Sequence, residues 1–64
     1  MQGGDSMREI GAEAIVINNK NDIHCFRKKE KVIFIGMFEK DWYRFENESG
    51  LIQTLQDYNF EWVD

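Results

Sequence analysis

The chain contains no proline, one cysteine (Cys25) and one histidine (His24). A lone cysteine excludes an intrachain disulfide, and it suits a reducing compartment, most simply the cytoplasm. A lone histidine excludes a two-histidine metal or proton-relay site. Adjacent strand residues also point to opposite faces, so His24 and Cys25 do not converge on one ion or substrate. Without proline, no strand is confined to a sheet edge on that ground. Long apolar runs are missing too. The longest uncharged one, Val32 to Phe38, falls far short of the ~20 residues of a membrane-spanning helix. No basic stretch leads into an apolar one near the N-terminus, which argues against a signal peptide. The glycines, at 3, 4, 11, 36 and 50, form no phosphate-cradling loop. The expectation is a non-enzymatic protein with no cofactor and no membrane segment.

The charge is small in sum and uneven in distribution. The net value is −4, which disfavours a general nucleic-acid binder. Lys20, Arg27, Lys28, Lys29 and Lys31 make the middle of the chain basic, while the stretch from Glu39 to Asp64 is strongly acidic. The molecule is therefore electrically polarised along its sequence.

Sixty-four residues make one domain, and a chain this short buries only about 60% of the surface its unfolded form exposes. Residues 1–6 carry adjacent glycines and no apolar side chain after Met1. They read as a disordered leader or cloning remnant ahead of a single domain over 7–64. Glu13 to Ile17 reads as a first strand, and Asn18 to Asp22 as a loop of residues that bond their own backbone. Ile23 to Arg27 reads as the return strand, with Cys25 facing the core and slow to react. A charged turn at Lys28–Glu30 leads into Val32–Phe38, where Gly36 marks a bulge or bend. Trp42 to Phe45 follows as a short fourth strand.

Leu51, Ile52, Leu55 and Tyr58 recur at helical spacing and predict a helix over 47–58. Asn47 is its N-cap, Asn59 its C-terminal stop, and Phe60 to Val63 an extended tail or last edge strand. The expected fold is thus α+β. A three- to four-stranded antiparallel meander carries one C-terminal helix on one face, or curls toward a small barrel.

That expectation leaves a surplus of apolar strand surface. Val32, Phe34 and Phe38 line one side of the third strand, with Ile33, Ile35 and Met37 on the other, and one helix covers only one face. The leading functional expectation is a small interaction module, such as a regulator or inhibitor of a larger protein. It docks through Val32, Phe34, Phe38, Trp42 and Trp62 onto a protein partner or a second copy of itself. A second reading is nucleic-acid contact through Arg27, Lys28, Lys29 and Lys31, a basic turn beside the aromatics Phe26 and Phe34. Against it, turn lysines mainly solubilise, and Glu30 dilutes their field. A third is a DNA-mimicking inhibitor, with acidic residues from Glu39 to Asp64 imitating phosphates. Solubility alone explains carboxylates on a solvated helix face.

Overall fold

Two-residue alternation organises the described chain, residues 8–63 of the computed structural model. In β1 (Glu13–Val16) Ala14 and Val16 face inward. In β2 (Lys31–Glu39) Val32 and Phe34 do so. Phe45 is the buried residue of β3 (Trp42–Asn47) and Leu55 that of β4 (Ile52–Leu55). Phe60 is buried in β5 (Phe60–Trp62). All pairings are antiparallel, and the strands lie in the order β4-β3-β2-β1-β5. The last strand thus returns to pair with the first, with Val16 opposite Phe60 and Ala14 opposite Trp62.

The sheet bends round its own aromatic residues. β3 and β5 are separated by two strands in the sheet, yet Phe45 and Phe60 stack edge-to-face at 4.7 Å. Tyr43 reaches Phe60 at 5.1 Å, and Phe34 reaches Trp62 at 5.5 Å. A flat sheet with strands ~4.8 Å apart could not bring these rings together. The bend has a local cause. Between Phe34 and Gly36 the β2–β3 register slips, a bulge that sharpens twist. Gly36 holds φ at +132° with no atom within 4 Å of where a Cβ would sit, so torsion and not space requires glycine there.

No helix stands over 47–58, and the fold is a small β-rich one, not α+β. Among the described residues the only helical turn is the 3-10 segment Lys20–Asp22. Of the four residues expected on the helix face, only Leu55 is buried; Leu51, Ile52 and Tyr58 are exposed. The reason lies in the two asparagines that mimic helix ends. The Asn47 side chain accepts hydrogen bonds from the Ser49 and Leu51 amides at 3.0 and 2.9 Å, and Gly50 takes φ +88°. Those bonds close a tight hairpin between β3 and β4, using the same chemistry that would cap a helix. Asn59 accepts from the Gln56 amide at 3.0 Å and so shapes the β4–β5 turn. With both turns set, the residues between them pair with β3.

The return strand expected over 23–27 is absent as well. β1 instead pairs with β2 and β5, and residues 17–30 form a long loop between β1 and β2 that holds the 3-10 turn. His24 is buried and Cys25 exposed, the reverse of the strand expectation. His24 Nδ1 accepts the Phe26 amide at 3.0 Å, and its Nε2 lies 2.8 Å from the Asn18 carbonyl. Those partners place the ring proton on Nε2. Asn18 Oδ1 then accepts from Asn59 Nδ2 at 2.9 Å, and the Ile17 amide donates to the Asn59 carbonyl at 2.8 Å. The loop is thereby tied to the β4–β5 turn by part-buried polar bonds, and Phe26 is carried into the core. The expected leader, residues 1–6, lies outside the described residues.

Candidate functional site

Two features of the surface stand out: a basic cleft and an open sheet edge. The cleft has a volume of about 520 Å³ and is lined by Cys25, Arg27, Lys28, Lys29, Glu30, Asn47 and Ser49. It lies between the loop leading into β2 and the hairpin leaving β3. Glu30 builds it. One carboxylate oxygen accepts the Arg27 amide at 2.8 Å and the other accepts Asn47 Nδ2 at 2.7 Å, which fastens the two walls together. Both oxygens are thus turned to internal partners. Among the described residues, no carboxylate lies within ion-pair distance of Arg27, Lys28 or Lys29; the pair seen is Lys31 with Glu13 at 3.7 Å. Lys31 is therefore separated from the other members of the basic turn, on the outer face of the sheet beside Ile15. Phe26 and Phe34, the aromatics expected beside that turn, are buried in the core and offer no ring to stack on.

The edge is β4, one of the two terminal strands of the sheet; the other, β5, carries Glu61. The Asn47 amide donates to the Leu51 carbonyl at 3.0 Å, and Gln53 pairs with Phe45. In an antiparallel ladder every second residue turns its amide and carbonyl toward the partner strand. Leu51, Gln53 and Leu55 hence face β3, while the main-chain groups of Ile52 and Thr54 point away from the sheet. Gln53 Nε2 covers the Ile52 carbonyl at 3.0 Å; no main-chain bond to Thr54 from outside the sheet is present among the described residues. The sequence from Leu51 to Gln56 holds neither a charge nor a proline. Leu51 and Ile52 are 41% and 49% exposed beside it. Edges in natural sheets are ordinarily blunted by charge, proline or a covering segment.

The five residues expected to form an apolar docking face do not share one. Val32 and Phe34 are core residues. Trp62 is half-buried, packed on Phe34, Phe45 and Phe60, with the Arg8 guanidinium over its ring at 5.2 Å. Trp42 is half-buried beside the β2–β3 turn. Phe38 alone is well exposed, at 54%, with Arg44 over its ring at 5.2 Å. Strand alternation leaves open which face of β2 turns inward, and the pairing of Phe34 with Phe45 decides it. The outward row across the sheet runs Ile52, Glu46, Ile33, Glu13. Sequence reasoning passed over Asn47 and Ser49 as cleft residues because it placed them in a helix.

His24 has both ring nitrogens engaged inside the loop, so it holds no free group for proton transfer. No cluster of three metal-ligating side chains occurs among the described residues. The acidic residues 39–61 are spread over three turns and three strands, with no helix face to align them. Burial raises the Tyr43 phenol above its ordinary range, and the Asp57 and Asp41 carboxylates add to the shift. No described helix is long and apolar enough to cross a membrane. No family model matches the chain, and no curated protein or solved structure gives a significant match.

Proposed function

We propose that this protein is a non-catalytic interaction module that pairs with a second copy of itself along the edge strand β4. The observation that carries this reading is the β4 edge: a strand with no charge and no proline, whose outward Thr54 main-chain groups carry no bond from a described residue, flanked by exposed Leu51 and Ile52. A two-fold axis through Gln53 would set two β4 strands antiparallel, with Ile52 of one copy opposite Thr54 of the other, and join the two sheets. It would also bring Ile52 of each copy toward the other. A 64-residue fold gains much from such burial, because its own core is small. The free, exposed Cys25 fits a reducing compartment such as the cytoplasm, and that location belongs to the same proposal.

Sedimentation equilibrium of the wild type and of Thr54→Pro tests the pairing. The Thr54 amide points away from β3, so proline there removes an edge donor without breaking the protein's own ladder. A micromolar dimer that becomes a folded monomer in Thr54→Pro is the expected result. A wild type that stays monomeric at hundreds of micromolar would rule the pairing out.

A further inference from the structure

We infer that the cleft between the 25–30 loop and the β3–β4 hairpin is a binding site for a compact phosphate monoester, recognised through the phosphate itself. The inference does not rest on the β4 pairing. It rests first on charge. Arg27, Lys28 and Lys29 all line one cleft, and among the described residues none is neutralised by a carboxylate at ion-pair distance. The cleft's own carboxylate, Glu30, accepts one hydrogen bond on each oxygen from the protein. It lines the cleft but acts as a tie between the walls, with both oxygens already hydrogen-bonded, and the three cations outnumber it. Three cations at successive positions suit a group carrying nearly two negative charges better than a single carboxylate, and an arginine adds a fork that matches phosphate oxygens.

The second support is the opposite wall. The Ser49 hydroxyl makes no hydrogen bond to a described residue, while the Ser49 amide is taken by Asn47. That hydroxyl is left to donate to an anion. Asn47 is fixed by bonds on both ends of its amide, to Glu30 and to the hairpin amides, so this wall is preorganised. A volume of about 520 Å³ accommodates a phosphorylated side chain or small metabolite.

What is missing narrows the ligand further. No aromatic side chain lines the cleft, so a nucleobase finds no stacking surface. The net charge of −4 repels a long polyanion outside the basic turn. A single phosphate is the species that meets the cations without meeting the acidic remainder.

Cys25 supplies the assay, because it is exposed and lines the same cleft. The rate at which N-ethylmaleimide, a neutral reagent, alkylates native protein is measured against added O-phospho-L-serine or inorganic phosphate. L-Glutamate and sodium chloride at equal ionic strength are the controls. Both phosphate probes should slow alkylation saturably at about millimolar concentration, with glutamate at least ~10-fold weaker. In Arg27→Gln/Lys28→Gln, two exposed substitutions whose folding is verified by circular dichroism, the half-saturating concentration should rise by about 10-fold or more. Failure of both phosphate probes to protect Cys25 beyond the chloride control would overturn the assignment. So would protection unchanged in the double variant, or equal protection by glutamate. Protection by a single-stranded oligonucleotide ~1,000-fold below the phosphoserine range would also overturn it, in favour of a nucleic-acid ligand.

Discussion

Replacing Asn59 by alanine should cost about as much as removing a core side chain, although asparagine is ordinarily a surface residue. Asn59 is fully buried. Its side-chain Oδ1 accepts from the Gln56 amide at 3.0 Å, and its Nδ2 donates to Asn18 Oδ1 at 2.9 Å. Each such bond contributes about 1 kcal/mol net. The two ends then differ. Asn18 Oδ1 keeps a second donor, the Lys20 amide at 2.9 Å, so it is not orphaned. The Gln56 amide, which is part-buried, has no other acceptor among the described residues, and an unsatisfied donor away from water costs about 1–3 kcal/mol. The sum is roughly 2–4 kcal/mol, against a total of roughly 3–10 kcal/mol for a domain this size. Urea denaturation followed by tryptophan fluorescence reads the loss, since Trp62 packs on the core and reports its opening. Adding Asn18→Ala to Asn59→Ala should cost less than the two single changes together, because they share one bond. A midpoint for Asn59→Ala within about 0.5 kcal/mol of wild type would show that the network does not tie the loop to the sheet.

Strand and helix assignments of residues 51–58 separate on two substitutions. Leu55→Ala should lose about 2–5 kcal/mol in the same melts, while Leu51→Ala, at an exposed position, should lose less than about 0.5. Equal losses would favour the helical face. The raised Tyr43 phenol has an alkaline consequence: the folded form holds the proton more tightly than the unfolded chain. That contribution is whole below the unfolded value of ~10 and disappears as pH rises through the higher folded value. Stability measured from pH 8 upward should therefore fall steeply at the alkaline end in wild type and more gently in Tyr43→Phe. Identical profiles would remove Tyr43 as the cause.

Much of the strand content is legible in the residues themselves. β2 and β3 are rich in β-branched and aromatic residues and are separated by the short polar turn at Lys40–Asp41. Gly36 in the midst of β2 signals a bulge before any coordinates are seen. The error over 47–58 has a definite physical source. Asn47, Gly50 and Asn59 are signals that the chain turns, and local sequence does not say whether a helix or a strand lies between two turns. Spacing at 51, 52, 55 and 58 matches a helix by coincidence, with one inward strand residue, Leu55, and three that face solvent.

The candidate sites divide in the same way. Composition alone excludes an intrachain disulfide and a two-histidine centre within the chain, and the cationic run Arg27–Lys29 is visible as a basic turn. Its conversion into a walled cleft depends on Asn47 meeting Glu30 across seventeen positions of sequence. The inward face of β2 likewise depends on long-range contact. Val32–Phe34 and Ile33–Ile35 are equivalent by alternation, and only the rings of β3 and β5, gathered by the bend at Gly36, select one of them as core. Local propensities thus determined where the chain extends and where it turns. Pairing partners, the buried face and the open edge at β4 were decided by contacts between residues far apart, which no short window of sequence contains.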